Sequence, residues 1–394
     1  MAIDNKDKKV LNVPHLRFPE FSGEWKKYSF NDIAQYKKGP FGSALKKEIF
    51  VPKSADSVKI YEQQNAIKKD WELGRYYISR DYFINHMQQF IVEAGDIIVS
   101  CAGTIGEIYE LPPNAVSGVF NQALMRVRIN ATLIDKNIFI KVFSSMIDSF
   151  SKIYSNGSAI KNIPPFADLK KTNVFLPTQN EQYKISRLIS LLDERIATQN
   201  KIIEDLKKLK SAISLKMLHS DSWKQFKIKD IASIGRGRVI SSVEISQQDN
   251  PLYPVYSSQT SNEGIMGYLD NFMFEGEYIN WTTDGANAGT VFYRDGKFNC
   301  TNVCGLLKLG DEFDTYFVSL VLAEATKKYV STNLANPKLM NNTMGSIQIR
   351  LPKLKEQKRI SIAFRKLREL LEVHNSLLTE YSKLKQYLLS QMFI

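Results

Sequence analysis

The sequence predicts a mixed α/β (α+β) chain: two globular β-rich domains in tandem pseudo-repeat, each followed by a long helix. Three observations carry the prediction. Residues 25–34 read WKKYSFNDIA, and residues 223–232 read WKQFKIKDIA, 198 positions later. Leu176-Pro177, Glu181-Gln182 and Ile185-Ser186 recur 175 positions later as Leu351-Pro352, Glu356-Gln357 and Ile360-Ser361. After each of these the apolar residues keep a helical spacing for about 39 residues, roughly 58 Å at 1.5 Å per residue. An internal repeat sets the fold before any single element does. It places the first domain at 1–177, a central helix at 178–219, the second domain at 220–352 and a C-terminal helix at 353–394. Between the anchors the second block is 23 residues shorter than the first.

Within the first block, Ala94-Gly95-Asp96 turns into a short apolar strand, Ile97-Ile98-Val99-Ser100. Gly276-Glu277 and Tyr278-Ile279-Asn280-Trp281 mirror it. Glycine-punctuated loops follow, at 101–106 and 283–289. Residues 136–150 and 313–329 have the apolar faces of helices, and a strand ending in Leu-Pro precedes each long helix. Thr178-Gln179-Asn180-Glu181 has the capping-box pattern. Lys353 stands at the matching place in the second copy and marks that start less sharply. Ile185, Leu192, Gln199, Leu206 and Ile213 form one heptad row; Ile360, Leu367, His374, Tyr381 and Leu388 form its counterpart. Parallel rows such as Leu370, Leu377 and Leu384 make the apolar face wider than a two-position seam. Each helix is therefore expected to bury one strip on the other and offer the rest to a partner.

Composition excludes several classes. The chain has 394 residues, 43% hydrophobic and 24% charged, so it can bury sizeable cores and is not a disordered chain. It carries no apolar run near the ~20 residues of a membrane span, and no signal-peptide core. Cys101, Cys300 and Cys304, with four dispersed histidines, give neither a disulfide framework nor a closed zinc site. A reduced, cytoplasmic protein without a metal is expected, with Cys300 and Cys304 as buried thiols. Lys and Arg exceed Asp and Glu by 53 to 41, a net charge of +12 that suits a polyanion.

Catalytic motifs are incomplete. Asn162-Ile163-Pro164-Pro165-Phe166 is like the Asn-Pro-Pro-Phe loop of amino-group DNA methyltransferases, but Ile163 holds the place of the polar residue. No Phe-x-Gly-x-Gly turn for an adenosyl cofactor follows a strand. Glu24-x-Lys26 has Ser222 opposite Glu24 in the repeat, and no nuclease partner. Gly296-Lys297-Phe298 lacks the spacing and hydroxyl of a phosphate loop.

Basic and polar clusters carry more information. Lys37-Lys38-Gly39-Pro40-Phe41-Gly42-Ser43 leads to Lys46-Lys47, and Arg236-Gly237-Arg238 holds the same place in the second repeat. Glycine lets backbone come close to a phosphate, and the cationic heads release counterions. Phosphate contacts are expected from Lys37, Lys38, Lys46, Lys47, Arg236, Arg238 and Lys338. Base reading is expected among Ser43, Gln63, Asn65, Arg80, Thr104 and Gln122 in the first block. In the second it falls among Ser257, Ser258, Gln259, Thr283, Asp284, Asn287 and Asn302. Asn, Gln and Arg can pair bidentately with base edges.

This layout resembles the DNA-specificity subunit of type I restriction–modification enzymes. The carriers are Trp-x-x-(Tyr/Phe)…Asp-Ile-Ala, GPFGSALK (39–46), Gly95-Asp96-Ile97-Ile98-Val99-Ser100 and Asp-Gly-Ala-Asn-Ala-Gly (284–289). The paired Leu-Pro…Glu-Gln helix starts and Lys-Leu-Lys helix ends complete the set. The resemblance covers residues 20–394. It departs where the second repeat has Gly-Arg-Gly-Arg (235–238) in place of GPFGS, so the two domains should read unlike sequences. The resemblance implies two target-recognition domains held apart by an antiparallel coiled coil, each reading half of a bipartite asymmetric site on double-stranded DNA. It implies two methyltransferase subunits that use S-adenosylmethionine for adenine N6 methylation, and restriction/translocase subunits. The chain itself would be non-catalytic, with no cofactor of its own. A self-contained adenine methyltransferase and a structural coiled-coil scaffold are the rival readings.

In such a pair of helices, residues near the midpoints meet. Gln199 and His374 occupy matching places in otherwise apolar rows. They are expected to lie together at the centre of the coil and to set its register.

Overall fold

The repeat in the sequence is a repeat of strand pairing. Lys26–Ser29 pairs antiparallel with Asn173–Leu176, in the register Lys26 to Leu176. Lys224–Lys227 pairs with Gln348–Leu351, in the register Lys224 to Leu351. The two offsets read from sequence carry one register into the other. The computed structural model describes residues 12–154, 166–331 and 336–393. The chain divides into two compact units, Met1–Ile196 with Tyr381–Ile394, and Ala197–Glu380.

In the first unit a four-stranded antiparallel sheet runs in the order Ala34–Lys38, Leu124–Ile129, Ile97–Ser100, Ile108–Glu110. A second sheet has five short strands, in the order Phe50–Val51, Tyr77–Ser79, Ser57–Tyr61, Gly118–Phe120, Ile91–Val92. In the second unit the four-stranded sheet recurs as Ala232–Arg236, Cys304–Leu309, Tyr278–Thr282, Val291–Arg294. Its second sheet has four strands, Ile265–Leu269, Tyr253–Tyr256, Lys297–Cys300 and Phe274–Glu275. Each second sheet holds one parallel pair, Ser57–Tyr61 with Gly118–Phe120 and Tyr253–Tyr256 with Lys297–Cys300. The topology is therefore common to both units, although the loops and edge strands differ.

Both main cores are built from matched positions. In the first, Phe30, Ile33, Val99, Val127, Phe139 and Phe143 pack with Ile185, Ile189 and Met392. In the second, Ile228, Ile231, Trp281, Leu307, Phe317 and Leu322 pack with Leu218, Ile360 and Phe364. The helices expected at 136–150 and 313–329 span Lys136–Tyr154 and Thr315–Ala325. Asp135 caps the first by accepting the Asn137 amide at 2.8 Å, and Asp314 caps the second by accepting the Phe317 amide at 2.7 Å. The three cysteines are free and buried, and burial pushes the Cys101 thiol up to about 12.

The long helices are Gln179–Met217 and Leu354–Gln391. The Glu181 amide donates to Thr178 Oγ1 at 3.4 Å, as the capping pattern requires. Gln182 and Gln357 begin the helices in the same way. The buried Gln182 amide donates to Leu133 O (2.9 Å) and Pro177 O (3.0 Å), and its oxygen accepts the Asp135 amide at 2.7 Å. The Gln357 amide donates to Pro352 O (2.8 Å) and its oxygen accepts the Asp314 amide at 3.0 Å. In the first unit the start of the central helix shares a core with the end of the C-terminal helix, and Lys385 pairs with Asp193. In the second unit the end of the central helix shares a core with the start of the C-terminal helix. Within each unit the two helices thus run in opposite directions. Leu370, Val373 and Leu377 stay exposed, on the strip that the heptad count leaves over. Among the described residues no helix is long and apolar enough to cross a membrane.

Gln199 and His374 meet inside the second unit. Gln199 Oε1 lies 2.7 Å from His374 Nδ1, and Gln199 is buried. The polar pair interrupts the apolar row at the expected place, and each group satisfies the other.

One close approach recurs in both units. A Cβ on Gly39 would lie 1.9 Å from Asn121 O, and a Cβ on Gly237 would lie 1.9 Å from Cys300 O. The sequence suggests approach to a phosphate for these glycines; what they admit is the chain's own backbone. The first strand of each four-stranded sheet exits across the turn that follows the parallel strand.

His374→Leu should lower stability by about 1–3 kcal/mol, because Gln199 is left buried and unbonded, and adding Gln199→Leu should recover most of that loss. Urea unfolding of the two variants checks it; a double variant no better than the single one would remove the pairing argument. Gly39→Ala and Gly237→Ala should each cost about 1–3 kcal/mol from overpacking. Gly235→Ala, whose Cβ meets nothing within 4 Å, should change stability by less than about 0.5 kcal/mol in the same assay.

Candidate nucleic-acid interface

Four segments converge at one end of the first unit's sheets. The strand Ala34–Lys38 delivers Lys38 and then crosses the 121–122 turn, where the Gly39 amide donates to Leu124 O at 3.0 Å. The hairpin loop after Ile97–Ser100 is held there too, since the Cys101 amide donates to Ala123 O at 2.8 Å. Gln63 follows the parallel strand Ser57–Tyr61. Its side-chain amide donates to Ala102 O and, at 2.9 Å, to Thr104 O. Lys38, Phe41, Ser43, Thr104 and Gln122 are exposed on these segments.

The second unit repeats the arrangement with other residues. The Gly237 and Arg238 amides donate to Cys304 O (3.4 Å) and Cys300 O (3.2 Å), and the Thr283 amide donates to Val303 O at 3.0 Å. Asn287 Nδ2 donates to Ser258 O at 3.3 Å, which joins the hairpin loop to the end of the parallel strand. Ser257 Oγ accepts the Gln259 amide at 3.4 Å. Lys338 Nζ lies 3.7 Å from Asp284 Oδ1. Arg236 is exposed and its Nε donates to Asn341 Oδ1 at 3.2 Å. Asn302 is exposed.

Several of the residues expected to meet DNA are spent on structure. Asn65 is not available for base reading. It is 1% exposed, accepts the Glu62 amide at 2.8 Å, and donates to Asp70 O (2.8 Å) and Leu73 O (2.7 Å). Thr283 is likewise buried, with its hydroxyl donating to Asp284 Oδ2 at 2.6 Å. Arg80 stands 3.6 Å from Asp56, at the start of the strand whose end carries Gln63. A strand of five residues separates it from the loop cluster. Lys37 turns away from Lys38, as successive strand residues must. It donates to Gln89 Oε1 at 2.8 Å and lies 5.1 Å from the Phe90 ring centre. Arg238 is gripped by Glu244, with Nη1 to Oε2 at 2.9 Å, and the pair holds the Glu244 carboxyl below its usual range. Gln63 and Gln259 are half-buried and their amides support loops, Gln259 by donating to Ile265 O. Lys46 and Lys47 remain exposed beside the turn Lys47–Ile49, and Tyr82 holds that segment by donating to Ala44 O at 2.9 Å.

Sequence reasoning passes over Val239, which is 70% exposed and stands 198 positions after Phe41. The repeat offset is the signal that could have found it. Asn341 is also missed, because only the fold brings it to Arg236. Glu24 accepts Asn12 Nδ2 at 3.0 Å. The segment 162–166, with its methyltransferase-like pattern, begins outside the described residues. Among the described residues no three His, Cys, Asp or Glu side chains gather as a metal site.

What the clusters can do is present short polar and cationic side chains on pinned backbone, twice, with different identities. Comparison with known proteins bears on the family and the fold. A family profile described as "Type I restriction modification DNA specificity domain" matches residues 22–208 and 220–381. The N-terminal part of a putative type I specificity subunit of Mycoplasma pneumoniae is 46% identical over 140 residues, 35% of this chain and 74% of that protein. The MpnII type I restriction enzyme specificity subunit of the same organism is 42% identical over 147 residues, 36% of this chain and 44% of that protein. The crystal structure of a type I restriction-modification S subunit from M. genitalium superposes with a TM-score of 0.65 at 18% identity. That match covers 97% of this chain and 99% of the other and concerns the fold alone. Because the profile spans most of both units, the chain belongs to the type I restriction–modification DNA-specificity family.

Proposed function

We propose that this chain is a non-catalytic DNA-reading and assembly subunit. Each unit reads one half of a bipartite, asymmetric site on double-stranded DNA through its loop cluster. The observation that carries this reading is the matched pair of clusters: the same four segments converge on the same frame, with unlike residues at their tips. Lys38, Lys46, Lys47, Arg236 and Lys338 serve the phosphates. Ser43, Thr104, Gln122, Asp284, Asn287 and Asn302 lie where base edges would be read. Two modification subunits supply adenine N6 methylation with S-adenosylmethionine, and restriction/translocase subunits complete the enzyme in the cytoplasm. Exposed Leu370, Val373 and Leu377 fit a protein partner rather than DNA.

The reading predicts modular specificity. Replacing residues 30–172 by the corresponding interior of another family member keeps the strand pair Lys26–Ser29 with Asn173–Leu176 and the Gln182 bond to Pro177 O. It leaves Gln182 to bond backbone groups of the new interior in place of Leu133 and Asp135. Methylome sequencing of a host carrying the hybrid should show one half-site changed and the other retained. Change in both halves would end the claim of independent reading.

Charge and base contacts should separate in binding assays of the assembled complex. Lys46→Ala with Lys47→Ala should weaken all duplexes about equally and lower the salt slope by about one for each phosphate no longer neutralised. Gln122→Ala or Asn302→Ala should relax selectivity at a single position by about 1–3 kcal/mol. A uniform loss from the Gln122 variant would reassign that residue to the backbone.

A further inference from the structure

The largest exposed apolar side chain in the first loop cluster is Phe41, at 89% exposure. In the second unit the matching position is Val239, at 70%. Each stands two residues after the glycine that crosses the neighbouring backbone, Gly39 or Gly237. Each follows an exposed cationic residue on the strand end, Lys38 or Arg236.

The backbone beneath both is held. Phe41 O accepts the Ala44 amide at 2.9 Å, and a Cβ on Gly42 would lie 3.8 Å from Gln122 Nε2. Val239 O accepts Arg238 Nη1 at 3.0 Å, while the Arg238 amide is fixed on Cys300 O. An apolar side chain held out on pinned backbone is not a floppy loop residue. Neither belongs to the cores beneath them. Two unlike interiors nevertheless place an apolar tip at the same point of the same frame, among the groups assigned to DNA.

We infer that Phe41 and Val239 are apolar wedges, each inserting into the base stack at one step of its half-site. The inference rests on the DNA-reading assignment above. Apolar side chains inserted between base steps partly unstack them, and neighbouring cations hold the strained phosphates. Phe41 offers a ring to stack on a base; Val239 is smaller and reaches less deeply. A phosphate contact would need a polar group, which neither has. A contact with a modification subunit is the competing explanation, and the experiment separates it.

The test uses the full chain assembled with its modification subunits, on a duplex whose site has been defined by methylome sequencing. 2-Aminopurine is placed in turn at each position of the two half-sites. Wild-type complex should raise fluorescence at one step in each half-site, other than the methylated adenine. Phe41→Ala should abolish the rise in the first unit's half-site and weaken cognate binding about 5- to 100-fold, as removing one stacked ring does. Phe41→Leu should keep most of both, and Val239→Ala should act in the other half-site with a smaller loss. Affinity for unrelated duplex and its salt slope should stay the same in Phe41→Ala. Unchanged fluorescence and affinity in Phe41→Ala would overturn the wedge. So would failure of that variant to assemble with the modification subunits in the absence of DNA, which would mark a protein contact. Selective binding with no rise at any step would overturn the wedge and leave DNA reading standing. A wild-type complex with no selective binding would instead overturn the assignment beneath it.

Discussion

The buried glutamine at the start of each long helix is the constraint on which the rest depends. Gln182 joins the helix start to the Leu-Pro strand end and to the cap of the domain's own helix, through three hydrogen bonds. Gln357 repeats two of them in the second unit. Leaving such groups unbonded in a buried site costs about 1–3 kcal/mol each. The latch therefore fixes the angle at which the sheet meets the helix. The strand pair Lys26–Ser29 with Asn173–Leu176 sits directly on that junction, and the four-stranded sheet begins only five residues beyond it. Loop position in each unit thus descends from one side chain through the strand frame.

A frame of this kind separates what must be constant from what can vary. The first unit adds a half-buried ion pair, with Arg17 bonded to both oxygens of the buried Glu181 at 2.7 Å and Trp25 donating to the same carboxylate at 3.4 Å. No matching contact is needed for the second unit to keep the same strand order. The second sheet takes five strands in one unit and four in the other, yet its parallel pair and the loop that follows it stay in place. Chain length can change at the outer strands because they do not carry the crossing at Gly39 or Gly237. Insertion at the crossing itself would displace backbone against backbone.

The frame is legible in the sequence because it is written twice, and matched residues at two offsets leave little freedom in pairing. The polar centre of the helices is legible as well, since Gln199 and His374 stand out against apolar rows. Individual tip residues are less legible. Asn65 and Thr283 look in sequence like any polar loop residue, but short polar side chains bond nearby backbone, as Asn65 does, or a neighbouring side chain, as Thr283 does, as readily as they meet a ligand. Arg238 reads as free because its partner Glu244 lies on a short helix, Ser242–Ser246, that sequence patterning does not resolve. Arg80 is grouped with Gln63 by proximity in sequence, whereas a strand puts them at opposite ends. In each case the missing information is burial or direction, which a periodic pattern carries for long elements and not for loops.

The first unit takes its last pieces from the far end of the chain. Met392 enters its core, Phe393 meets Trp25 with ring centres 6.4 Å apart, and the Leu16 amide donates to Gln391 O at 2.9 Å. The second unit has all its residues once Glu380 is made. Order of synthesis and order of completion are therefore reversed. Of the two units, the one translated earlier must wait, with an apolar face uncovered, until residues 381–393 have been translated. A nascent chain has its greater need of chaperone cover at that earlier unit, and loss of residues 388–393 injures the unit whose other residues lie farthest from the break.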